Sequence, residues 1–394
     1  MTLAARKAQV DEVADLNLSD STQQEIRKWI TAHPDVKEIT TGRDEQVLGL
    51  HIVQMSSATA GQFDKDLPQA ELIPDRPIDL IRPEKTAQGD VEGEDASESR
   101  HATRWREFFT KGCESHAGKG VTVAVLDTGV QADHPEFGGK QVVGGFTFDL
   151  ATGLAVAQTP CVDTDTHGTH VAGLICGRTV GIAPEALVLS GVMIPGGRGS
   201  VAGFLIAMAW AAQKPEVQIV HLSAGLPGYV PEMRDAIDTL RACGVLVVAA
   251  IGNDGRNLTR SPGNFAEVLS VGSFGVNVNG RPRQSPFSST GQMVVESHSY
   301  SVPRAIAPGE DIWSCVPGGG YEAWSGTSMA APQISGVAAR LIERNPVVQL
   351  VDLFAQIDEL QMRWFSEYGP PPFEFLPFHP EMMHMMAKMF RQWM

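Results

Sequence analysis

Four polar residues of this sequence occur where a side chain could take part in chemistry, and the first is Ser328. It lies in the segment 326–332, GTSMAAP, ahead of residues 333–342, whose apolar positions recur at helical spacing. Backbone N–H groups and the positive end of that helix's dipole would converge on its hydroxyl. Because serine is a poor nucleophile until a base removes its proton, the hydroxyl needs a partner elsewhere in the chain.

Histidine is the usual base, and two histidines stand in the segment 165–173, DTHGTHVAG, at the predicted start of another helix. His167, at the N-terminal edge of that helix, is better placed than His170 to face a cleft, and His170 is expected to pack inside. Capping or core packing is the alternative for both. Metal binding is a further alternative, but no third ligand cluster follows and the spacing is not that of an H-E-x-x-H motif.

Asp127 and Asn253 each follow an apolar run with strand character. A carboxylate at the end of a buried strand needs a partner, so Asp127 could orient the histidine or close a turn with Gly129. Asn253, which stands between glycines, could be a turn residue or could aim its amide N–H at an oxyanion. Together with His167 and Ser328 they supply the orienting acid, the base, the nucleophile and the oxyanion donor of a nucleophilic hydrolase.

The apolar runs that position these residues alternate with helical segments. Buried strands are predicted over 121–126, 187–192, 217–222, 245–250 and 268–271, with helices over 167–176, 201–213 and 232–243. This alternation predicts an α/β fold in which helices cover both faces of a parallel sheet. Ligands of such sheets bind beyond the carboxyl ends of the strands, which is where Asp127 and Asn253 stand.

The sequence resembles the subtilisin-like serine peptidases, the subtilase family, in four segments: VAVLDTGV with the following HPEF, DTHGTHVAG, VVAAIGND and SGTSMAAP. The resemblance covers residues 101–345 and implies a three-layer α/β fold with a mostly parallel sheet between helices. It implies that Asp127, His167 and Ser328 form a catalytic triad. The oxyanion hole would be formed by Asn253 and the Ser328 backbone N–H. The implied activity is hydrolysis of peptide bonds through an acyl-enzyme, with a peptide or protein as substrate.

The same resemblance implies a substrate-binding groove. The edge segment that pairs with a substrate backbone is matched by Ser223, Ala224 and Gly225. Residues 193–201 resemble the segment that faces it across the groove. The walls of the main specificity pocket correspond to Ala249, Ala250 and Gly252. Their small side chains would leave room for a large apolar group. In the family, the stretch 254–260 lines this pocket.

No cofactor is required for this chemistry, and no metal ligand is predicted. Many subtilisins carry a loop after the HGTHVAG block that helps to build a tight calcium site. Here only LICGRT separates Gly173 from the VGIAP segment, so that loop is missing. Glu136 occupies the position of the usual carboxylate, but the partners that it would need are absent. The usual calcium site is therefore expected to be absent.

Residues 1–84 are predicted to form a small α+β unit ahead of the peptidase-like region. A capping box, with Ser21 as N-cap and Gln24 reaching back, begins its helix. The remaining elements are strand-like runs at 36–40 and 47–54 and an extended arm at 70–82.

Residues 85–100 form an acidic linker that has too little apolar content to order itself. By its position, the unit ahead of this linker resembles a subtilase pro-region. The hypothesis is that residues 1–100 aid folding and inhibit the enzyme, and that cleavage in or near the linker removes them. A permanent accessory domain is the alternative.

The last segment, 346–394, is predicted to hold a helix over 345–361 that closes the fold, followed by a Met-rich tail over 378–394. Met-rich amphipathic stretches suit adaptable contact surfaces. The tail could therefore pack back on the chain, dock a partner or another subunit, or contact a membrane surface.

The composition argues against several kinds of partner and location. A net charge of −15 with no basic stripe argues against nucleic acid. No apolar run of about 18 residues occurs, so no membrane span is expected. The N-terminus has no signal-peptide core, and the five cysteines are scattered and in no metal-ligand spacing, which favours a reducing compartment. The chain is expected in the cytoplasm, although a signal peptide removed beforehand would place it outside the cell.

Other functions remain open at this point. Some subtilases transfer the acyl group to an amine, as in peptide macrocyclisation, and others would serve as dedicated maturation proteases of one precursor peptide. Acyl transfer needs a cover that excludes water, and no clear insertion between the motifs supplies one. An inactive binding protein would conflict with the complete set of catalytic residue types. The sequence does not predict an oligomeric state.

Overall fold

The computed structural model describes residues 21–38, 51–85, 110, 114–148, 155–276 and 282–368, with the backbone alone for 364–368. The acidic linker beyond Lys85 and the Met-rich tail over 378–394 lie outside the described residues. Elements are numbered below in chain order within the described part.

The strands are β1 (Lys37–Glu38), β2 (Val53–Gln54), β3 (Pro77–Leu80), β4 (Glu84–Lys85), β5 (Thr122–Asp127), β6 (Val142–Phe148), β7 (Ala155–Ala157), β8 (Leu187–Val192), β9 (Arg198–Ser200), β10 (Val217–Leu222), β11 (Ala224–Pro227), β12 (Leu246–Ala250), β13 (Arg260–Ser261), β14 (Leu269–Val276), β15 (Pro282–Gln284), β16 (Gly291–Val295), β17 (His298–Val302), β18 (Ala305–Pro308), β19 (Ile312–Val316) and β20 (Gly320–Ser325). The helices are α1 (Ser21–Ala32), α2 (Ser57–Asp66), α3 (His167–Cys176), α4 (Val201–Ala212), α5 (Arg234–Ala242), α6 (Thr327–Arg344) and α7 (Leu350–Tyr368).

A nine-stranded sheet forms the centre of the fold, in the order β15-β14-β12-β10-β5-β8-β6-β7, with β18 also paired to β14. The pairs at its centre are parallel, and only β15 and β7 pair antiparallel to their neighbours. The predicted buried strands all lie in this sheet, as β5, β8, β10, β12 and β14. Their carboxyl ends therefore share one edge, where parallel α/β sheets bind ligands.

Helices cover both faces of the sheet, as strand β5 shows. Its side chains alternate, because successive residues of a strand point to opposite faces. Val123 and Val125 join the core that contains α3, α6 and α7. Ala124 and Leu126 join the second core, which contains α4 and α5. The predicted three-layer arrangement with a mostly parallel sheet is confirmed.

The helix that carries Ser328 starts as expected, whereas α5 and α7 differ from their predicted ranges. The helix that carries Ser328 begins at Thr327, so Ser328 lies at its start as expected, and the helix continues through Pro332 to Arg344. The predicted helix over 232–243 is shortened to α5, because residues 231–233 form a 3₁₀ turn before it. The closing helix is present as α7, which is longer than the predicted 345–361.

The N-terminal unit has a small core of its own. Helices α1 and α2 pack around four buried residues, which are Trp29, Val36, Phe63 and Leu67. Strands β1 and β2 pair antiparallel beside them. Helix α1 starts at Ser21 itself, so the expected N-cap residue lies inside the helix, and α2 lies where the sequence pattern had suggested no element.

The predicted extended arm, 70–82, leaves this small core and enters the larger unit. Its strand β3 lies between β9 and β11 and pairs antiparallel with both. A little further on, β4 pairs with β20, the strand that leads to Ser328. The N-terminal unit is thus bound to the rest of the fold through main-chain hydrogen bonds at the edge where the candidate catalytic residues lie.

Candidate active site

The structure brings Asp127 and His167 into direct contact. Asp127 ends strand β5 and His167 begins helix α3, and both side chains are fully buried. The imidazole Nδ1 lies 2.9 Å from one carboxylate oxygen of Asp127 and 3.0 Å from the other. The Thr128 backbone N–H also donates to that carboxylate, at 2.7 Å. This geometry fixes the ring and leaves Nε2 directed away from the carboxylate.

A close approach of two glycines allows this contact. A Cβ on Gly168 would lie 2.0 Å from the carbonyl oxygen of Gly129, so only glycine lets the start of α3 rest on the loop after β5. The Gly168 N–H donates to the Thr128 hydroxyl at 2.9 Å. The small residues of the two motifs therefore have a steric role, which is to bring the helix start against the strand end.

His170 lies behind His167 and has a packing role, as expected from the sequence. It stacks on Trp324 with ring centroids 4.3 Å apart, and its Nε2 lies 3.1 Å from the carbonyl oxygen of Glu322. Burial lowers the pKa of His170 to about 3. It is therefore neutral throughout the range in which proteins are stable.

Ser328 is the second residue of helix α6 and is fully buried. Its hydroxyl donates to the carbonyl oxygen of Ile81, at 2.9 Å, and not to a histidine. Within the described residues, His167 Nε2 is buried and has no hydrogen-bond partner. Ser328, the third member of the predicted triad, therefore points to Ile81 of the N-terminal arm.

Asn253 follows strand β12, and its amide is held by a residue that the sequence reasoning did not single out. Its side-chain oxygen accepts hydrogen bonds from the backbone N–H and the hydroxyl of Thr327, both at 2.9 Å. This orients the amide so that its NH₂ group donates to the carbonyl oxygen of Arg82, at 3.0 Å. Thr327 stands within GTSMAAP, next to Ser328, and that adjacency was the available signal.

Strand β3 occupies the groove between the two segments expected to bind substrate. Leu80 and Asp79 pair with Ala224 and Gly225, and the Ile81 N–H donates to the Ser223 carbonyl at 3.1 Å. On its other side, β3 pairs with β9, in the segment that was expected to face the first. The edge segment therefore binds an extended strand in the manner that the resemblance implies, and this strand belongs to the chain itself.

The arm is bound by apolar side chains and by charges. Ile78, Leu80 and Ile81 are at most 4% exposed, whereas Pro77 and Asp79 point to solvent. Ion pairs on either side join Arg76 to Glu232 at 2.8 Å, Arg82 to Asp165 at 3.8 Å and Lys85 to Glu322 at 3.4 Å. Surface pairs of this kind contribute little each, so the buried side chains provide most of the attachment.

The nucleophile and the oxyanion donor contact successive carbonyl groups of this arm. Ser328 Oγ donates to the carbonyl oxygen of Ile81, whereas Asn253 Nδ2 donates to that of Arg82. Attack on a peptide carbonyl requires both groups to act on the same carbonyl, with the serine proton directed to its base. The carbonyl groups of the arm are therefore not aligned for attack, although the strand is paired in the groove.

The specificity-pocket residues lie where the resemblance implies, but an arginine lies beside one of the walls. Ala249 and Ala250 end β12 and are buried. Ideal Cβ atoms on Gly225 and Gly252 would lie 3.4 and 3.2 Å from side-chain carbons of Arg260. The small walls favour an open apolar pocket, whereas the structure has the stem of Arg260 beside Gly252, with Gly225 of the edge segment on its other side.

Asp254 holds Arg260 in this place. Two nitrogens of its guanidinium donate to the two carboxylate oxygens of Asp254, at 2.6 and 2.8 Å. The hydrogen bonds from Arg260 lower the pKa of Asp254 and raise that of Arg260. A third nitrogen donates to the Gly225 carbonyl at 3.3 Å. Bidentate pairs of this kind have a fixed geometry, so the arginine is a defined part of the pocket.

Glu136, at the position of the usual calcium carboxylate, is fully buried and has hydrogen-bond donors around it. It accepts from the Thr179 N–H at 2.5 Å, the Val180 N–H at 2.9 Å and the Tyr321 hydroxyl at 2.6 Å. These donors engage both oxygens, so the residues present do not fit a cation. Over the described ranges, no group of three or more His, Cys, Asp or Glu residues could hold a metal ion. The expectation of no calcium stays a prediction.

Comparison with known proteins identifies the family. The sequence model of the subtilase family matches residues 118–359. An intracellular serine protease of Paenibacillus polymyxa is 38% identical over 235 residues, which span 56% of this chain and 66% of that protein. The major intracellular serine protease of Bacillus subtilis is 35% identical over 245 residues, which span 59% of this chain and 70% of that protein.

Solved structures agree with this match. A psychrophilic protease, S41, superposes with a TM-score of 0.56 and 29% identity over 62% of this chain and 84% of its own. Sphericase gives a TM-score of 0.56 and 30% identity over the same shares of the two chains. In the part of the chain that is described, no helix is long and apolar enough to cross a membrane. The matched region contains all four candidate catalytic residues, and the chain therefore belongs to the subtilase family of subtilisin-like serine peptidases.

Proposed function

We propose that the chain is a serine endopeptidase that hydrolyses peptide bonds through an acyl-enzyme. The observation that carries this proposal is the buried contact of Asp127 with His167 beside a groove in which Ser328 touches the carbonyl of a bound strand. The two intracellular relatives named above are serine proteases, which supports it.

The roles follow from the geometry of each group. Ser328 Oγ would attack the scissile carbonyl carbon while His167 Nε2 takes its proton, and Asp127 would hold the resulting imidazolium. Asn253 Nδ2 and the Ser328 N–H would donate to the oxyanion. Collapse of this intermediate breaks the C–N bond as His167 gives the proton to the leaving amine. A water molecule, deprotonated by the same histidine, then hydrolyses the ester.

We propose further that the N-terminal arm is an inhibitor of this site. It fills the groove through β3, and it engages Ser328 and Asn253 on different carbonyl groups. A substrate strand could not pair with Gly225 while β3 does so. Removal of the arm would free the groove and let Ser328 turn towards His167. Self-cleavage in or near 85–100 is the proposed route, because that linker follows directly after β4.

The test compares the full-length chain with Ser328→Ala and with Ser299→Ala, an exposed serine on β17 that serves as the matched control. Each protein is incubated, its mass is followed, and hydrolysis of a peptide mixture is measured in parallel. The wild type and the control should shorten to a product lacking the arm as activity appears, while Ser328→Ala stays intact and inactive.

Two other outcomes would contradict parts of this proposal. Full activity of an intact wild type would show that the N-terminal unit is a permanent accessory domain. Normal turnover by Ser328→Ala would remove the serine from the mechanism. The same mass spectra report the reaction type, since hydrolysis gives linear products, whereas acyl transfer to an internal amine gives cyclic products that have lost water.

We propose that the enzyme acts in the cytoplasm on peptides or proteins. Relatives named intracellular support this location, and so do the buried thiols of Cys161, Cys176 and Cys315, which form no disulfide within the described residues. Cell fractionation with thiol trapping tests it. Recovery of the chain outside the cell with these cysteines oxidised would contradict the proposal.

We also propose that no cofactor is needed and that the tight calcium site is absent. The hydrogen bonds to Glu136 from Thr179, Val180 and Tyr321 support this. Enzyme dialysed against EDTA should keep its kcat/KM within about twofold, because no metal takes part in the triad chemistry. Loss of activity or thermal stability that added calcium restores would contradict it.

A further inference from the structure

The N-terminal arm also indicates what the groove selects, and this inference rests on the proposed peptidase function. Strand β3 lies where a substrate strand would pair, and Ile81 presents its carbonyl to Ser328. Counted back from that residue, Leu80 is in the second position and Asp79 in the third. Leu80 is buried, whereas Asp79 is exposed, because alternate residues of a strand face opposite sides.

The third position faces an arginine across one neighbouring strand, and a second arginine contacts the backbone of the other. Asp79 stands directly opposite Arg198 in the antiparallel pair of β3 with β9. Side chains in such pairs are neighbours, with Cβ atoms roughly 4.5–5.5 Å apart. On the other side Asp79 is opposite Gly225, which has no side chain, and the Arg260 guanidinium donates to the Gly225 carbonyl at 3.3 Å.

A cavity of about 340 Å³ opens beside this position and includes all of these charges. Its lining includes Asp79, Arg198, Asp254 and Arg260, together with Asn253 of the catalytic site. The pKa of Arg260 is raised, first by its hydrogen bond to Asp254, and the charge of Asp79 contributes to the same shift. The arm's own acidic side chain is thus electrostatically coupled to the groove wall.

Departure of the arm would remove Asp79, the carboxylate opposite Arg198, together with Arg82, which also lines the cavity. Arg260 keeps its bidentate partner Asp254, so that pair is close to neutral. Arg198 is exposed, and Asp79 stands directly opposite it in the strand pair without reaching ion-pair distance. Asp79 would leave with the arm, and Arg198 would then face whatever side chain a substrate places in the third position.

We propose that the groove selects peptides with an acidic side chain in the third position before the scissile bond, and that Arg198 is the residue that determines this preference. An aspartate or glutamate there would again stand opposite Arg198, whereas a lysine would be repelled by it. Opposite charges directly across an antiparallel pair stabilise modestly, and like charges destabilise by similar amounts. The preference is therefore a graded one.

The experiment uses peptides that are identical except for Asp, Asn or Lys in the third position, with aliphatic residues in the first, second and fourth. They are assayed with the processed enzyme, with Arg198→Ala and with Arg198→Lys. Arg178→Ala is the matched control, since Arg178 is an exposed arginine after α3 and outside the cavity lining. The readout is the ratio of kcat/KM between peptides, which is insensitive to the fraction of active enzyme.

For the wild type we expect kcat/KM to be about threefold higher for Asp than for Asn and roughly tenfold higher for Asp than for Lys at low salt. Both ratios should shrink in 0.5 M NaCl, because exposed charges are screened. Arg198→Ala should bring the Asp-to-Asn ratio to about one, Arg198→Lys should restore it, and Arg178→Ala should leave it unchanged.

Ratios that are the same in the wild type and Arg198→Ala, or a preference for Asn over Asp, would overturn the assignment of Arg198. Failure of the processed wild type to cleave any of the peptides would be a different result. It would overturn the peptidase function on which this inference rests.

Discussion

A buried histidine beneath the active site makes the stability of this fold dependent on pH. His221 lies in strand β10 and is fully buried. Its Nδ1 lies 2.9 Å from the Ser335 hydroxyl on α6, and its Nε2 lies 3.0 Å from the Ser223 hydroxyl at the substrate edge. The ring thus joins the helix that carries the nucleophile to the segment that pairs with the arm.

Burial lowers the pKa of His221 from 6.5 to about 3. Between these two values the unfolded chain binds a proton that the folded chain does not, so the free energy of unfolding rises with pH across this window. The slope is about 1.36 kcal/mol per pH unit for each such group. Stability conferred by the neutral ring is complete above pH 6.5 and is lost as the pH falls towards 3.

Acidification from pH 6.5 to 5 should therefore lower the free energy of unfolding by about 2 kcal/mol through His221. His170 has the same direction of shift and the same value, about 3, so the two together should account for about 4 kcal/mol. The loss of stability is that of the folded state with the arm in place.

Urea unfolding at several pH values measures this effect, with Ser328→Ala as the background so that self-digestion does not interfere. His221→Gln removes one titrating group. The slope of unfolding free energy against pH between 4 and 6 should therefore fall by about 1.36 kcal/mol per pH unit, which corresponds to one bound proton. His298→Gln, at an exposed histidine of β17, is the control and should leave the slope unchanged. An identical slope with and without His221 would refute the reasoning.

Three further substitutions test the groove. Asn253→Ala should lower kcat of the processed enzyme by about 10²–10³ with a small effect on KM, in steady-state assays, because one oxyanion donor is lost; an unchanged kcat would assign the donor elsewhere. Arg260→Ala should raise the ratio of kcat/KM between peptides with Phe and with Ala in the first position by about tenfold, because a large apolar side chain could then be buried in the pocket. An unchanged ratio would mean that Arg260 does not limit the size of the pocket. Leu80→Ala, introduced into the Ser328→Ala protein, should speed hydrogen exchange of the Ile81 amide about 30-fold or more, because loss of a buried leucine costs about 2 kcal/mol or more. Equal acceleration of exchange in β5 would instead indicate global destabilisation.

The sequence predicted the central fold well because its elements have strong local signatures. Apolar runs of four to six residues with β-branched side chains are typical of strands buried on both faces, and helices alternate with them. Strand β8 and helix α3 have the predicted boundaries. Ser328 lies at the start of α6, as the helical spacing after it predicts, and tertiary packing keeps the segment through Pro332 helical.

The contact of Asp127 with His167 also followed from the sequence. Parallel strands end at one edge of the sheet, so a polar residue at the end of β5 and one at the start of α3 are brought together by topology alone. The role of Thr327 was missed, since its bonds to Asn253 join residues that are distant in the sequence. The catalytic roles of these residues stay predictions until the substitutions are measured.

The sequence by itself determined the family, the three-layer fold and the residue types of the active site, because motifs and periodicity are local properties of the chain. Tertiary structure alone decided what occupies that site. The placement of β3 between β9 and β11, the contact of Ser328 with Ile81 and the position of Arg260 between Gly225 and Gly252 depend on long-range pairing. No local pattern specifies which strand fills an open sheet edge, because main-chain hydrogen bonds are the same for every sequence. The strand is selected by its side chains, and these meet their partners only in the folded protein.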